Sequence, residues 1–343
     1  MSDNSEQQQQ MQEISICADV WLKVFAFLSP LELGLKMALI NDRFDALVDM
    51  HFKSRKWSLS WLHIHRAIDG HGAQIVNLSG DQLPIPQGPL PGQVIGFEGI
   101  RISYVDQIVI EFLERIRRLF DSAETNVYIT TSDNQNRSWE IILEKIWPLV
   151  NDNICGFLLV ASPQLAHLRQ FSPTILRDCA KLRSIVASCQ LFPEFPAEDN
   201  AGASSRQAVT KWLLTSRGDG LPKMITFIFI PQGISALKEA FVNAPEPTNF
   251  IVRLSAAEFD VIEPFELNNM RERLTLRHLN GDNWLLVRCP IGREEDKWAK
   301  WEEEAIGWEW RRQWNRIYIE LEDSDIGDKT GDAKAGPEPT DRG

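Results

Sequence analysis

The chain has 343 residues, 43% of them hydrophobic, and a formal net charge of −12 at pH 7. This length exceeds what one compact core usually serves, so we expect a small module followed by a larger domain. Nucleic acid is excluded as an expected partner, because an acidic chain without a long basic run lacks the clustered lysine and arginine that bind phosphates.

The sequence also argues against membrane and extracellular classes. We see no basic segment followed by an apolar one at the amino end, and no stretch approaching the ~20 apolar residues of a membrane span. The cysteines are scattered without a C-x-x-C pair, which favours reduced thiols of a cytosolic or nuclear protein over a disulfide framework. They are Cys17, Cys155, Cys179, Cys189 and Cys289.

The first predicted element is a helix from Asp19 to Leu28, after a Gln-rich stretch (residues 1–13) that we predict to be disordered. At 3.6 residues per turn its apolar positions cover more than half of the circumference. Val20, Val24, Phe25 and Leu28 form one stripe, and Trp21 and Phe27 widen it. A helix of this kind must be covered on two sides, by its own domain and by something else.

Two further short helices are predicted before residue 57. Ser29-Pro30-Leu31-Glu32 is a capping box with proline at the first helical position, and it opens a helix through Leu33, Met37 and Ile40. Asn41 offers a second cap before Phe44, Leu47 and Val48, which are spaced i, i+3 and i+4. The sequence therefore predicts a miniature three-helix bundle over residues 14–57.

The stretch "ICADVWLKVFAFLSPLEL", followed by "DRFDALV" and a distant Trp57, resembles an F-box. The resemblance implies docking onto the Skp-family adaptor of a cullin–RING ubiquitin ligase. Cys17 departs from it, because the family usually has proline there. Carried over position by position, the resemblance implies adaptor contacts from Ile16, Trp21, Val24, Phe25, Leu28, Pro30, Leu33, Ile40 and Phe44.

A plain bundle or a helix-turn-helix domain is the alternative for these residues. A DNA-reading version needs a basic third helix. Here that helix carries Asp42, Asp45 and Asp49 with only Arg43 beside them.

A connector over residues 58–92 is expected next, since "LPIPQGPLPG" (83–92) has the proline content of a semi-rigid linker. From residue 93 to 321, strand-like runs alternate with helical patterns at the length of one strand–helix unit. The predicted fold is therefore mixed α/β, either an open parallel sheet or a leucine-rich-repeat-like stack. The strand-like runs are Ile102, "NVYITTS", "CGFLLVA", "LRSIVAS", "MITFIFI" and "NFIVRLS".

After Pro264 the pattern changes to short strands, "RERLTLRH", "NWLLVRCP" and "NRIYIELE", which we interpret as an antiparallel cap. A charged helix with five tryptophans separates the last two strands. We expect most of these indoles to be core, with anchors for a bound partner as the minority interpretation. The tail, residues 322–343, is acidic and predicted to be disordered. The stretch from Trp284 to Ile317 resembles the expanded F-box proteins of nematodes, especially plant-parasitic ones.

Catalytic and metal signals are weak. His63 and His65 are spaced i, i+2, but no third Cys, Asp or Glu ligand stands nearby in the sequence, so no metal site is expected. No phosphate loop or nucleophile–base motif is recognisable, and we expect no cofactor and no catalytic residue.

The leading interpretation is a substrate-receptor subunit of an SCF-type ligase. Its F-box docks the adaptor, and through it a cullin, and its α/β domain binds an unidentified protein target. One rival is an α/β enzyme with a helical appendage, which requires a polar pocket at the carboxyl ends of the strands. The other is an interaction protein that works without the adaptor.

Overall fold

The structure is a computed structural model that describes residues 16–28, 32–54, 57–90, 92–122, 124–159, 162–227, 234–244, 246–255 and 263–327. The chain divides into two compact units. The helical unit comprises Met1–Leu59 with Pro91–Val94, and the sheet unit comprises Ser60–Leu90 with Ile95–Gly343.

The helical unit contains helix α1 (Ala18–Phe25), a turn of π-helix (Leu33–Met37) and helix α2 (Asp42–Ser54). Asn41 caps α2, because its Oδ1 accepts a hydrogen bond from the backbone N–H of Phe44 at 3.1 Å. The cap predicted at Asn41 is therefore confirmed. The predicted capping box lies mostly outside the described residues, which resume at Glu32.

The sheet unit is built on one sheet of thirteen described strands, in the order β10-β11-β12-β9-β8-β7-β6-β5-β13-β4-β1-β2-β3. Several of them coincide with the strand-like runs of the sequence. The strands are β1 (Trp57–Arg66), β2 (Ala73–Val76), β3 (Gln82–Pro84), β4 (Val94–Ile102), β5 (Thr125–Ile129), β6 (Ile154–Leu159), β7 (Ser184–Ala187), β8 (Lys223–Phe227), β9 (Phe250–Ser255), β10 (Phe265–Asn268), β11 (Glu272–Asn280), β12 (Asn283–Pro290) and β13 (Arg316–Ile319).

The centre of the sheet is parallel. Strands β4, β13, β5, β6, β7, β8 and β9 pair in parallel throughout, and antiparallel hairpins flank them on both sides. The expected mixed α/β fold with a largely parallel sheet is confirmed at this level. β11 and β12 form a hairpin, with Gly281 at φ +50° in its turn.

The position of β13 corrects the predicted antiparallel cap. "NRIYIELE" was expected to pair with the two strands before it, but β13 lies in the middle of the sheet, parallel to both β4 and β5. Ile317 and Ile319 of this strand are buried on one face of the sheet, and Tyr318 on the other face is partly exposed. Of the strands predicted to form the cap, those in "RERLTLRH" and "NWLLVRCP" do lie in an antiparallel edge, as β11 and β12 beside β10.

Most helices of this unit pack against one face of the parallel strands, the helix face. Phe157 of β6 meets Trp147 at a ring separation of 6.0 Å, and Ile100 and Ile317 converge with Phe120. The helices are α3 (Gln107–Arg115), α4 (Arg117–Ser122), α5 (Asn136–Ile141), which a π-turn (Ile142–Ile146) joins to α6 (Trp147–Val150), α7 (Ser162–Phe171), α8 (Ile175–Asp178), α9 (Ser205–Leu213) and α10 (Ile234–Val242). Short 3₁₀ turns span Asn151–Asn153, Cys189–Leu191, Trp310–Arg312 and Asp323–Asp325.

Helix α11 (Glu295–Gly307) contributes to a separate core with other residues of the sheet. Trp298 is buried there with Met224 and Ile251, and Trp301 and Trp308 pack on the same cluster. The expected core role is thus confirmed for these three indoles, whereas Trp314 is 60% exposed.

Acidic residues of α11 form ion pairs with arginines of the sheet unit. Glu302 is buried between Arg277 and Arg293, at 2.8 Å from each. Glu304 makes a two-pronged ion pair with Arg183.

Two predicted boundaries move. Residues 58–92 are not a separate connector in the structure, because β1, β2 and β3 extend the sheet there. The first residues of the predicted disordered tail are ordered, since Asp323 accepts hydrogen bonds from Ser138 and Ile326 bridges to Val105; residues 328–343 lie outside the described part of the chain. Among the described helices, none combines the length and apolar character needed to cross a bilayer.

Candidate functional site

Helix α1 has two apolar sides, one buried in the core of the helical unit and one exposed. Phe25 is fully buried, and Trp21, Leu22 and Leu28 pack on the same core, which Leu33, Leu47, Val48 and Phe52 complete. Val20 and Val24, one turn apart, point away from it and remain 47% and 40% exposed. The single stripe expected from the sequence is therefore split, with Phe25 and Leu28 on the core side.

The core side is held by aromatic contacts. The ring of Trp21 meets that of Phe44 edge-on, with centroids 4.8 Å apart, and lies 6.1 Å from Phe25. Phe25 also packs edge-on against His51 at 5.7 Å. These contacts fix α1 on α2 and leave its other side available.

Other large apolar side chains of the helical unit, outside α1, are also exposed. Phe27 is 90% exposed, Leu39 74% and Ile40 56%. With Val20 and Val24 they form a set that we name the exposed apolar set. Burying each such side chain is worth about 1.5–3 kcal/mol, so a partner that covers several of them gains a large part of a binding free energy.

The nine residues inferred from the F-box resemblance divide into four groups. Ile16, Val24 and Ile40 are exposed, and Trp21, Leu28 and Phe44 are partly buried. Phe25 and Leu33 have no exposed surface in this structure and serve the core. Pro30 lies outside the described residues.

Sequence reasoning did not select Val20, Phe27 and Leu39 as contacts. Phe27 could have been found, since it follows Val24 by three residues and Val20 by seven, on one side of a helix. Leu39 lies in the turn before α2, where periodicity carries no signal.

The histidine pair predicted from the sequence does face one side of β1. The rings of His63 and His65 are 5.1 Å apart, and His63 Nε2 lies 3.0 Å from Ser103 Oγ. Burial, then the charges of Arg101 and His65, lower the pKa of His63. Within the described residues no three His, Cys, Asp or Glu side chains gather in a way that could hold a metal ion.

A cavity of about 580 Å³ lies at the amino-terminal ends of β5 to β8. Its arginines are already paired, since Arg183 bonds Glu304 and Arg217 bonds Asp219 at 2.6 Å. Burial raises the pKa of the Cys155 thiol to about 12, so this cysteine is a poor nucleophile near neutral pH.

A scan of the chain against protein-family models gives no match, and neither does a search of curated proteins.

Proposed function

We propose that the chain is a substrate receptor of an SCF-type cullin–RING ubiquitin ligase, acting in the cytoplasm or nucleus. The helical unit docks a Skp-family adaptor, as the F-box-like pattern of residues 16–57 implies. The sheet unit binds the protein to be ubiquitinated. The receptor accelerates transfer by proximity, holding a lysine of the target near the charged enzyme, and contributes no catalytic group itself.

One observation carries the proposal: a small bundle with its own complete core leaves the exposed apolar set in water. The stability of the bundle alone does not require Phe27, which is 90% exposed, or the exposed side chains of Val20 and Val24. A docked adaptor would cover them. The acidic start of α2, with Asp42 and Asp45, offers no support to nucleic-acid binding instead.

The sheet supports the strand–helix stack that the proposal assigns to the target-binding domain. Strands β5 to β9 follow one another in chain order across the sheet. Right-handed crossovers between parallel neighbours place the connecting helices on one face, which leaves for a ligand the part of the other face that α11 does not cover.

The proposal is tested by titrating the full chain with a purified Skp-family adaptor in a calorimeter. We expect saturable binding by the wild type and none by Val24→Asp or Phe27→Asp. Both sites are exposed, so the thermal midpoint of each variant should stay within a few degrees of the wild type.

The matched control is Ile68→Asp, which puts the same charge on an isoleucine 76% exposed in the sheet unit. It should bind the adaptor like the wild type. A folded wild-type chain that gives no heat with the adaptor, or binding that survives both helical variants, contradicts the proposal.

The rival α/β enzyme requires convergent polar groups at the carboxyl ends of the parallel strands. The 580 Å³ cavity lies at the opposite ends, and its arginines are bonded to carboxylates. This geometry favours the receptor over the enzyme. Adaptor-independent binding of a protein by the sheet unit is the rival that the titration separates.

A further inference from the structure

One row of side chains crosses the parallel strands on the face opposite Phe157 and Ile317, the open face. The pairing registers place its members directly beside one another on adjacent strands, and all are partly exposed. We call it the front row: Arg101, Tyr318, Tyr128, Leu158, Val186, Thr226 and Arg253. Six steps of about 4.8 Å make it roughly 29 Å long.

The neighbouring row toward the amino ends is covered. Gly156 has Trp308 beside it, and Met224 and Ile251 belong to the core that α11 seals. The front row is therefore the first row on the open face that α11 and Trp308 leave partly exposed.

The aromatic end of the row is built rigidly. Tyr318 lies 5.0 Å from the ring of Trp61, 5.7 Å from Tyr128 and 5.8 Å from Trp310. The indole N–H of Trp310 donates to the Tyr318 hydroxyl at 2.7 Å, which fixes both rings. Partly exposed tryptophan, tyrosine and arginine in rigid positions are the composition of binding hot spots in protein interfaces.

The arginines of this face already have partners. Arg101 donates to the carboxylate of Glu320, and Arg253 donates to the carbonyl of Ile306 at 2.7 Å. Arg316 lies over the ring of Trp61 and bonds Glu98. Among the described residues, a charged ligand group buried against the centre of the row would find no counter-ion, and it would lose its hydration.

We propose that the front row binds a protein segment that is uncharged and apolar over its central residues, laid across the strands. This rests on the proposed function, because it names the kind of target segment that the receptor recognises. A row of this length takes about nine residues of an extended segment. The apolar residues pack on Tyr128, Leu158 and Val186, and charged residues fall outside the row.

The probe is a phage-displayed library of random 16-residue peptides, selected on the full wild-type chain. We expect enriched peptides with an uncharged apolar centre, and the best one is synthesised with a fluorophore for anisotropy titration. Leu158→Glu and Leu158→Lys should each weaken its binding at least tenfold. Loss with both signs of charge separates an apolar partner from a charged one, for which the two changes would act in opposite directions.

Ile108→Glu is the control, since Ile108 is 42% exposed on α3 and lies outside the row. It should leave peptide binding unchanged. Should either Leu158 variant fail to fold by circular dichroism, Val186→Lys and Thr226→Glu at the next two positions take its place.

Four results would overturn the inference: no enrichment, a charged consensus at the centre, peptide binding that survives the row variants, or tight binding of a single-stranded oligonucleotide at physiological salt. Adaptor titrations on the same preparations keep the two proposals apart. Adaptor binding without peptide selection removes only this inference, whereas peptide selection without adaptor binding removes only the ligase role.

Discussion

At the scale of single residues, Phe27 and Trp21 show how one helix can serve two purposes. Of the two, only Trp21 packs on the core, through Phe44 and Phe25. Phe27 follows α1 by two residues and is almost fully exposed. Stability and adaptor binding should therefore depend on different aromatic residues.

We expect Trp21→Ala to lower the free energy of unfolding by about 2 kcal/mol or more, because it removes two aromatic contacts and leaves a void. Phe27→Ala should change it by less than about 0.5 kcal/mol, yet weaken adaptor binding roughly thirtyfold, as the loss of a ~2 kcal/mol hot spot does. Urea denaturation and calorimetry measure the two quantities. Equal destabilisation by both variants would show that Phe27 belongs to the core.

Lys223 is a second residue with a measurable signature. It opens β8, is 5% exposed, and its Nζ donates to the carbonyl oxygens of Trp212 and Thr215 at the end of α9. Burial lowers the pKa of Lys223 to about 7, from 10.5. A neutral amine keeps two N–H donors, enough for both carbonyls.

The pH dependence follows from proton binding. Between pH 7 and 10.5 the unfolded chain holds a proton on Lys223 that the folded chain lacks, so this residue makes stability rise with pH across that window. Across this window Lys223 alone should raise the free energy of unfolding by on the order of a few kcal/mol. We expect the urea midpoint of the wild type to rise with pH relative to that of Lys223→Met, which lacks the titrating amine. Parallel pH curves for the two proteins would show that Lys223 stays charged in the folded state.

At the scale of elements, the cap of α2 and the place of β13 are the most informative. Asn41 satisfies a backbone N–H at the start of α2, a helix whose first turn also carries Asp42 and Asp45. β13 pairs with the backbone groups of both β4 and β5. Without it, each of these strands would present an unpaired edge.

Asn41→Ala should destabilise the helical unit by about 1 kcal/mol, because the N–H of Phe44 loses its acceptor. Asn41→Asp is the matched control, since it keeps the acceptor and adds a charge that suits a helix amino end. Far-ultraviolet circular dichroism in urea follows the transition. An alanine variant as stable as wild type would mean that water replaces the cap at no cost.

Ending the chain after Gly327 should leave the thermal midpoint unchanged, whereas ending it after Gln313 should abolish cooperative unfolding of the sheet unit. The second change removes buried Ile317 and Ile319 and the strand that joins β4 to β5. Losing these contacts exceeds a stability margin of about 5–15 kcal/mol. Differential scanning calorimetry distinguishes the outcomes, and a cooperative transition in the shorter chain would show that β4 and β5 can pair directly.

At the scale of the whole molecule, local patterns predicted the elements better than their neighbours. The runs from "NVYITTS" to "NFIVRLS" became β5 to β9 because each concentrates β-branched or aromatic residues over the length of a strand. The place of β13 could not be predicted, since pairing with β4 and β5 is decided by contacts across some 190 residues of chain. At the candidate site, spacing indicated the apolar helix, but only the fold separates buried Phe25 from exposed Phe27.

Chelation is a test of the whole chain. Because no three metal-ligating side chains gather within the described residues, we expect EDTA to leave the thermal midpoint unchanged. Fluorimetric melting curves with and without chelator measure it. A drop that zinc restores would place a metal site at or around His63 and His65.

The central position of β13 has a consequence for biosynthesis. Trp314, just before β13, emerges 188 residues after Asn126 of β5. At about 5–20 residues per second, β4 and β5 wait roughly 10–40 s on the ribosome for the strand that separates them. Nascent chains thus expose two unsatisfied edges for that interval, which makes them clients for chaperones. A nonsense mutation just before β13 should yield an aggregating product, although the other twelve described strands of the sheet are complete.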